Sequence, residues 1–232
     1  MDVTQKVILV VDDEKDILEL VNYNLTREGF GVVTAKSGEE GLNAVAQKKP
    51  DLILLDLMLP GMNGLDVCRK LKKDPATASI PIIMITAKSE ESEIIVGLEL
   101  GADDYVGKPF SIKVLSSRIR SVLRRQQVYL YNQKNELRVG YFEISPSRFR
   151  VLAGGKPVEN LTVTEFHLLH FLASRPGRVM NRQLILDAVR GEEIAVTERA
   201  VDVQMVGLRK KLGPYADCIE AVRGVGYRFK DA

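Results

Sequence analysis

Five polar side chains in the N-terminal half follow short apolar runs of the kind that form buried strands. They are Asp12, Asp13, Asp56, Thr86 and Lys108. Three carboxylates brought close together repel one another, so either a pKa rises or a cation binds. Mg²⁺ suits a site made of oxygen ligands, because it needs few carboxylates and keeps water and phosphate oxygens in its other positions. These residue types therefore favour magnesium-dependent phosphoryl chemistry.

Asp56 is the candidate nucleophile of such a site. The apolar run 52–55 that precedes it is too short for a helix and fits a buried parallel strand. An aspartate at the end of that strand can attack phosphorus and form an aspartyl phosphate. Lys108 and the metal would offset the charge that builds on the phosphoryl oxygens, and Thr86 would donate a hydrogen bond to them.

Strands and helices alternate along residues 7–125. The apolar runs predict strands at 7–11, 31–35, 52–56, 81–85 and 105–106. Helical spacing and helix-ending residues predict helices at 17–29, 37–48, 65–74, 90–100 and 111–125. Five strands, each followed by a helix, predict an α/β fold with a doubly wound, flavodoxin-like parallel sheet. Ligands gather at the carboxyl ends of the strands in such a sheet, so the five polar residues should meet there.

Length and charge indicate two domains with different partners. With 232 residues, 45% of them hydrophobic and 28% charged, the chain is long enough for two domains that each bury a core. Residues 1–125 contain 17 basic and 19 acidic residues, a net charge of −2, whereas 126–232 contain 16 and 12, a net charge of +4. No apolar run approaches the roughly 18 residues of a membrane span, and no secretory signal is recognisable. We therefore expect a cytoplasmic protein without a membrane partner.

The second half has a different order of elements, after a candidate linker at 126–136. Alternating apolar residues predict antiparallel strands at 137–144 and 148–152. Helices are predicted at about 161–174, 181–189 and 198–212, and a hairpin with glycines at its turn follows at 219–229. Three helices and a hairpin predict an α+β winged helix-turn-helix domain over 137–232.

The third of these helices is the candidate for nucleic-acid binding. Val201, Met205 and Leu208 share one stripe and should face the core, which leaves polar side chains elsewhere around the helix. In a major groove, arginine reads guanine and glutamine reads adenine, and arginines of the hairpin would reach an adjacent groove or phosphates. A solvated charged helix face is the alternative. The candidate contacts are Arg199, Gln204, Arg209, Lys210, Arg223 and Arg228.

The N-terminal half resembles the receiver domain of two-component response regulators. The resemblance covers residues 6–125 and rests on the segments Val10–Asp13, Leu55–Gly61, Thr86–Ala87 and Lys108–Phe110. It implies that Asp56 accepts a phosphoryl group from a phosphohistidine of a sensor histidine kinase. It also implies, at most, weak Mg²⁺-dependent self-phosphorylation and autodephosphorylation, so we do not expect an enzyme.

The same resemblance implies how the metal is held. Asp13, Asp56 and the backbone carbonyl of Met58 would bind Mg²⁺, and Asp12 would act mainly through water. Lys108 would pair with the phosphoryl group, and its peptide bond to the following proline would be cis.

A switch is implied as well. Thr86 would move toward the phosphoryl group while Tyr105 turns inward. These movements would reshape a pairing face built by the helix at 90–100, the strand at 105–106 and the helix at 111–125.

The C-terminal half resembles the winged-helix effector domain of the OmpR/PhoB family. The segments that carry this resemblance are Leu161–Phe166, Pro176–Val179, Val201–Gln204, Leu208–Gly213 and Val222–Phe229. It implies a homodimer on phosphorylation that binds direct repeats of double-stranded DNA head to tail, with RNA polymerase as a further partner. The third helix would enter the major groove and the hairpin the minor groove.

The groove helix and its neighbour depart from the family pattern. Val206 and Gly207 stand where many members carry a basic pair, and Arg190 stands where a tryptophan is often found. Each phosphate that is no longer neutralised lowers the log–log salt slope by about 0.9 on duplex DNA. We therefore expect duplex binding that depends less on salt than is usual in the family.

The pairing face departs from the pattern too. Ile94 and Val114 stand where the family usually pairs a basic with an acidic residue across the dimer. A second such pair, Asp104 and Arg125, remains. We therefore predict pairing that is more apolar and less sensitive to salt.

Three alternative functions are compatible with parts of the sequence. A phosphatase of the haloacid dehalogenase type also uses an acid at a strand end with Mg²⁺, but it needs a second acid two residues later, where Met58 stands. Base-stacking aromatics on a sheet would favour RNA binding, yet Tyr141, Phe142 and Phe149 are easily explained by sheet packing. A regulator that needs no phosphorylation would not require the intact acid cluster.

Overall fold

The computed structural model describes residues 5–87, 96–97, 100–132, 136–190 and 199–231, and among these it leaves out the side chains of 125–132, 190 and 199. The chain divides into two compact units, Met1–Leu123 and Arg124–Ala232. Among the described residues, no helix combines the length and the apolar character needed to cross a bilayer.

The N-terminal unit is built on a five-stranded parallel sheet. Its strands are β1 (Val7–Val11), β2 (Gly31–Ala35), β3 (Leu52–Asp56), β4 (Ile82–Thr86) and β5 (Asp104–Gly107). They lie in the order β2-β1-β3-β4-β5. This order confirms the predicted doubly wound sheet, because a reversal of direction beside β1 puts crossover helices on both faces.

Helices cover both faces of this sheet. They include α1 (Lys15–Arg27), α2 (Gly38–Lys48), α3 (Gly64–Lys73) and α4 (Ile112–Asn132). Successive residues of a strand point to opposite faces, so Ile8 and Val10 pack with α1 and α4, whereas Leu9 and Val11 pack on the α2 and α3 side. The helix predicted at 90–100 lies largely outside the described residues.

Helix α4 is longer than the sequence predicts. It continues to Asn132, so most of the predicted linker 126–136 is helical. The segment contains neither glycine nor proline to end the helix, and its glutamines and leucine are good helix formers. The predicted domain boundaries stay a prediction.

The C-terminal unit begins with a four-stranded antiparallel sheet. Its strands are β6 (Leu137–Val139), β7 (Phe142–Ser145), β8 (Arg150–Ala153) and β9 (Lys156–Pro157). The single strand predicted at 137–144 is wrong. Gly140 adopts a positive φ of 54° and turns the chain, so β6 and β7 form a hairpin instead.

Three helices and a small sheet complete this unit. The helices are α5 (Val163–Ala173), α6 (Arg182–Arg190) and α7 (Arg199–Leu212), and the strands are β10 (Met180–Asn181), β11 (Ile219–Val222) and β12 (Gly226–Phe229). The β11–β12 hairpin is antiparallel, and β10 pairs with its second strand. Thr162 and Glu165 close a reciprocal capping box that fixes the start of α5. The predicted winged helix is therefore confirmed.

Candidate functional site

The carboxyl edge of the parallel sheet brings the predicted acids together. Asp56 is the last residue of β3, and Asp12 and Asp13 follow the neighbouring strand β1. One carboxylate oxygen from each of the three lies within 4.8 Å of the others. Asp12 and Asp56 are buried, whereas Asp13 is exposed, so the cluster opens to solvent on one side.

Lys108 is the counter-charge of this cluster. Its Nζ lies 2.7 Å from Oδ2 of Asp56, 2.9 Å from Oδ2 of Asp12 and 2.8 Å from Oε1 of Glu14. The lysine follows β5, and its backbone amide donates to the carbonyl of Thr86 at 2.7 Å. The peptide bond between Lys108 and Pro109 is cis. One ammonium therefore bridges three carboxylates at the mouth of the site.

Burial and charge set the protonation states of these groups. Burial raises the pKa of the Asp12 carboxyl above its usual value, although bonds from Lys108 and from the amide of Glu14 act in the opposite direction. Burial lowers the pKa of Lys108, but its hydrogen bonds to Asp56, Glu14 and Asp12 outweigh that and leave the pKa raised. The lysine is thus firmly held as a cation.

The loop after β3 holds the Asp56 carboxylate from the other side. The amide of Met58 donates to Oδ1 of Asp56 at 3.0 Å, while Met58 as a whole is 57% exposed. Gly64 begins α3 against this loop, and a Cβ there would lie 2.1 Å from the carbonyl oxygen of Asp56. Only glycine lets the helix start so close to the strand end.

Thr86 stands on β4, the strand next to that of Asp56, and Tyr105 stands on β5, one strand further out. Thr86 is the last residue of β4 and is buried. Tyr105 lies on β5, is half-buried, and packs against the core cluster on the α2 and α3 side. Thr86 therefore lies at the edge that carries the acids, whereas Tyr105 lies two residues before the end of β5.

The predicted pairing face is only partly described. The side chain of Asp104 is buried, and its two oxygens accept from Arg118 of the same chain at 3.2 and 3.1 Å. Val114 is 47% exposed on α4. Ile94 and the side chain of Arg125 lie outside the described residues.

Sequence reasoning missed two charged residues of this unit. Glu14 follows the acid pair in a loop, where neither periodicity nor strand position draws attention to it. Arg118 looks like one of many basic residues on an amphipathic helix. A signal for Arg118 exists, because it stands on the face of α4 one turn from the core residue Leu115 and can reach the start of β5.

Helix α7 does not expose all the polar side chains that the sequence predicts to contact DNA. Gln204 is only 4% exposed and lines a small cavity with Thr164 and Leu168 of α5, so its predicted outward position is wrong. Arg209 is half-buried and donates from Nη2 to the carbonyl of Ile219 at 2.7 Å. The helix buries more than its apolar stripe because α5 and α6 both pack against it.

The exposed side of α7 follows an i, i+4, i+8 line. Val206, which is 68% exposed, and Lys210 are exposed on this line, and the side chain of Asp202 on the same line is 41% exposed. The side chain of Arg199 lies outside the described residues. The described outer stripe thus carries one acid, one apolar residue and one base.

The hairpin presents one of its two predicted arginines freely to solvent. Arg223 is exposed in the turn between β11 and β12. Arg228 donates from Nε and Nη2 to Oε2 of Glu220 across the strands, at 2.9 and 2.7 Å. Of these two arginines, Arg228 is therefore paired with an acid of the described part of the chain, and Arg223 is not.

Comparisons with known proteins agree with both halves. Residues 8–120 match the family described as response regulator receiver domain, and residues 155–229 match the one described as transcriptional regulatory protein, C terminal. The phosphate regulon transcriptional regulatory protein PhoB of Rhizobium meliloti is 46% identical over 96% of this chain and 98% of its own. The chain belongs to the OmpR/PhoB family of response regulators.

Other relatives of this OmpR/PhoB-family protein give the same picture. PhoB of Escherichia coli is 42% identical over 96% of both chains, and the alkaline phosphatase synthesis transcriptional regulatory protein PhoP of Bacillus subtilis is 39% identical over 97% of both. A solved structure of a RitR mutant covers 98% of this chain and all of its own, with a TM-score of 0.80 and 27% identity. The OmpR/PhoB homologue DrrB of Thermotoga maritima covers the same shares with a TM-score of 0.50 and 33% identity.

Family membership fixes the general role. The protein is a two-component transcriptional regulator with a receiver domain and a DNA-binding domain. A histidine kinase and DNA are the partners that these domains imply. The homologues are regulators of transcription rather than enzymes.

Proposed function

We propose that Asp56 is the phosphoryl acceptor through which a sensor histidine kinase switches DNA binding by this regulator in the cytoplasm. The observation that carries the proposal is the position of Asp56 at the end of β3, with Lys108 Nζ 2.7 Å from one oxygen and the amide of Met58 3.0 Å from the other. Both carboxylate oxygens are held in fixed positions, which is the preorganisation that a nucleophile needs.

The transfer is a displacement at phosphorus. An oxygen of Asp56 forms a bond to phosphorus as the bond from phosphorus to the kinase histidine breaks, and the departing histidine keeps the electron pair and takes up a proton. Negative charge spreads over the phosphoryl oxygens in the transition state. Lys108 turns from its carboxylate partners to one of these oxygens and stabilises that charge.

Mg²⁺ fits the carboxylates at this edge. Asp12, Asp13 and Asp56 offer an all-oxygen donor set within 4.8 Å, and one of the three is exposed to entering ions. Asp13, Asp56 and the carbonyl of Met58 would hold the ion, with Asp12 acting through water. When bound, the metal supplies positive charge that offsets the phosphoryl oxygens.

Phosphorylation then changes the face made by β5 and the helices beside it. The new dianion recruits the hydroxyl of Thr86, and Tyr105 fills the space that Thr86 leaves. Two receivers pair through this face, and the paired effector domains bind direct repeats, because the second contact becomes nearly intramolecular.

Lys210 and Arg223, which are exposed, would contact DNA. Arg199, Arg209 and Arg228 would also contact it once their side chains reach the duplex. The DNA-bound dimer would then recruit RNA polymerase.

The phosphoryl acceptor can be tested by mass. Wild-type protein incubated with acetyl phosphate and Mg²⁺ should gain one phosphoryl group, and Asp56→Asn should gain none, because an amide is not a nucleophile at phosphorus. Intact-mass spectrometry measures the gain. Asp51→Asn is the matched control, since it removes an acid just before the same strand, and it should be modified like the wild type. An unmodified wild type would overturn the proposal.

The pairing face leads to a second expectation. Because Val114 is exposed where the family has a charged residue, dimers of the phosphorylated protein should persist between 0.05 and about 1 M NaCl, a range over which exposed ion pairs are screened. Sedimentation measures the dimer fraction. Val114→Glu should weaken the dimer, whereas Leu20→Glu, at an exposed apolar position of α1, should not. Steep loss of dimer with rising salt would contradict the apolar character of the face.

Position 206 leads to a third expectation. Replacing the exposed Val206 of α7 by arginine restores half of the basic pair and should steepen the log–log salt slope of duplex binding by about 0.9. Fluorescence anisotropy with a labelled duplex at several salt concentrations gives the slope. Leu20→Arg adds the same charge to the receiver and should leave the slope close to that of the wild type. If Val206→Arg and Leu20→Arg have the same log–log salt slope, position 206 does not face the DNA.

A further inference from the structure

Asp202 is an acid on the outer stripe of the helix that is proposed to read DNA. Its side chain is 41% exposed, one turn before Val206. A carboxylate near phosphates weakens binding by repulsion, so its presence there needs a compensating role.

The contacts of Asp202 join three elements of the effector domain. One oxygen, Oδ1, accepts from Nε of Arg182 at the start of α6 and from the hydroxyl of Tyr227 on β12, both at 2.8 Å. The carboxylate therefore links the groove helix to the preceding helix and to the hairpin strand.

The ring of Tyr227 has two guanidinium groups near it, in addition to the contact that its hydroxyl makes. The guanidinium of Arg182 lies 5.3 Å from the ring centroid and that of Arg209 lies 5.6 Å from it. The ring is almost fully buried, and Arg209 also donates to the carbonyl of Ile219 on β11. Cation–π contacts and a charge-assisted hydrogen bond thus fix one aromatic ring between α7 and the hairpin.

We propose that Asp202 is a positioning residue that fixes α7 at one distance and orientation relative to the β11–β12 hairpin. The ability of the protein to distinguish its specific DNA site from other sequences then depends on this carboxylate. The inference rests on the proposed DNA-binding role of α7 and the hairpin. When α7 and the hairpin keep a fixed spacing, α7 can contact base edges while the hairpin contacts the neighbouring groove. When the two elements move apart, the domain still binds phosphates, because phosphate contacts carry no sequence information.

Variants of Asp202 and Tyr227 distinguish sequence-specific binding from non-specific binding to phosphates. Asp202→Ala should lower the ratio of specific to non-specific affinity about tenfold, the size of a lost hydrogen bond to a charged group. Its non-specific affinity should stay equal or rise, since an acid is gone. Tyr227→Phe removes only the hydroxyl and should lower the same ratio in the same direction. The double variant should lose little more than Asp202→Ala alone, because both changes remove one linkage.

The experiment uses the full-length phosphorylated protein and a duplex selected from a random pool, with an unrelated duplex of equal length as the non-specific competitor. Asp217→Ala is the matched control, because it removes an exposed acid from the same unit and should leave the ratio unchanged. Circular dichroism melting shows that each variant is folded. If wild-type protein selects no duplex, the proposed DNA binding fails. If it selects one and the Asp202 and Tyr227 variants keep the ratio of the Asp217 variant, the positioning role is overturned.

Discussion

Lys108→Met should lower the free energy of unfolding of the receiver by about 3 kcal/mol in EDTA, the cost of leaving buried carboxylates without their cation. Lys108 Nζ is within 2.9 Å of Asp12 and Asp56, and both acids are buried. Burial already raises the pKa of Asp12, and without the ammonium that pKa rises further. A raised carboxyl pKa stabilises the fold at low pH and this contribution is lost as pH increases through that pKa, so the deficit should be largest near pH 7 and shrink toward pH 5.

Mg²⁺ should restore much of the lost stability, because the ion replaces the missing positive charge and stabilises the folded state to which it binds. Urea unfolding in EDTA and in Mg²⁺ measures the two effects. Lys113→Met, an exposed lysine on α4, removes the same charge and should cost little. A Lys108→Met protein as stable as the Lys113 variant in EDTA would show that the acids do not depend on this ammonium.

Gly226→Ala should destabilise only the C-terminal unit, by about 3 kcal/mol, the upper end of the usual cost of overpacking. A Cβ at this position would lie 2.0 Å from the carbonyl oxygen of Met180 and 2.9 Å from the Cα of Asn181. Both neighbours are backbone of β10, so neither can turn aside as a side chain could. The β10–β12 pairing would have to open.

Differential scanning calorimetry should therefore show two transitions in the wild type and a shift of one of them in Gly226→Ala. Gly107→Ala is the control, since nothing lies within 4 Å of its added Cβ. A single transition that shifts as a whole would contradict the predicted division of the chain into two independently folding domains.

The acid site was predictable because the sequence marks strand ends strongly. Asp12, Asp56 and Thr86 each end a run of apolar residues, and parallel strands bring such ends to one edge whatever the details of packing. Lys108 could be placed there for the same reason. Glu14 could not, because a loop residue reaches the site only through a side-chain conformation that no pattern encodes.

The exposed face of α7 was harder to predict, because the helix buries residues beyond its apolar stripe. Hydrophobic periodicity marks Val201, Met205 and Leu208, but α5 and α6 enclose Gln204 as well. A buried polar residue cannot be told from an exposed one by periodicity alone. The carboxylate of Asp202 escaped attention for the opposite reason, since an acid on a basic helix looks like ordinary solvation.

The central claim is that phosphorylation of Asp56 strengthens DNA binding by pairing two molecules on tandem sites. The most direct measurement compares the affinity of phosphorylated and unphosphorylated protein for a selected duplex with two repeats and for one with a single repeat, with Asp56→Asn treated in parallel. Phosphorylation should increase wild-type affinity for the double site by about 100-fold, the lower range of such linkage effects, and should hardly change affinity for the single site. Equal gains on both duplexes, or a gain in the Asp56→Asn protein, would contradict it.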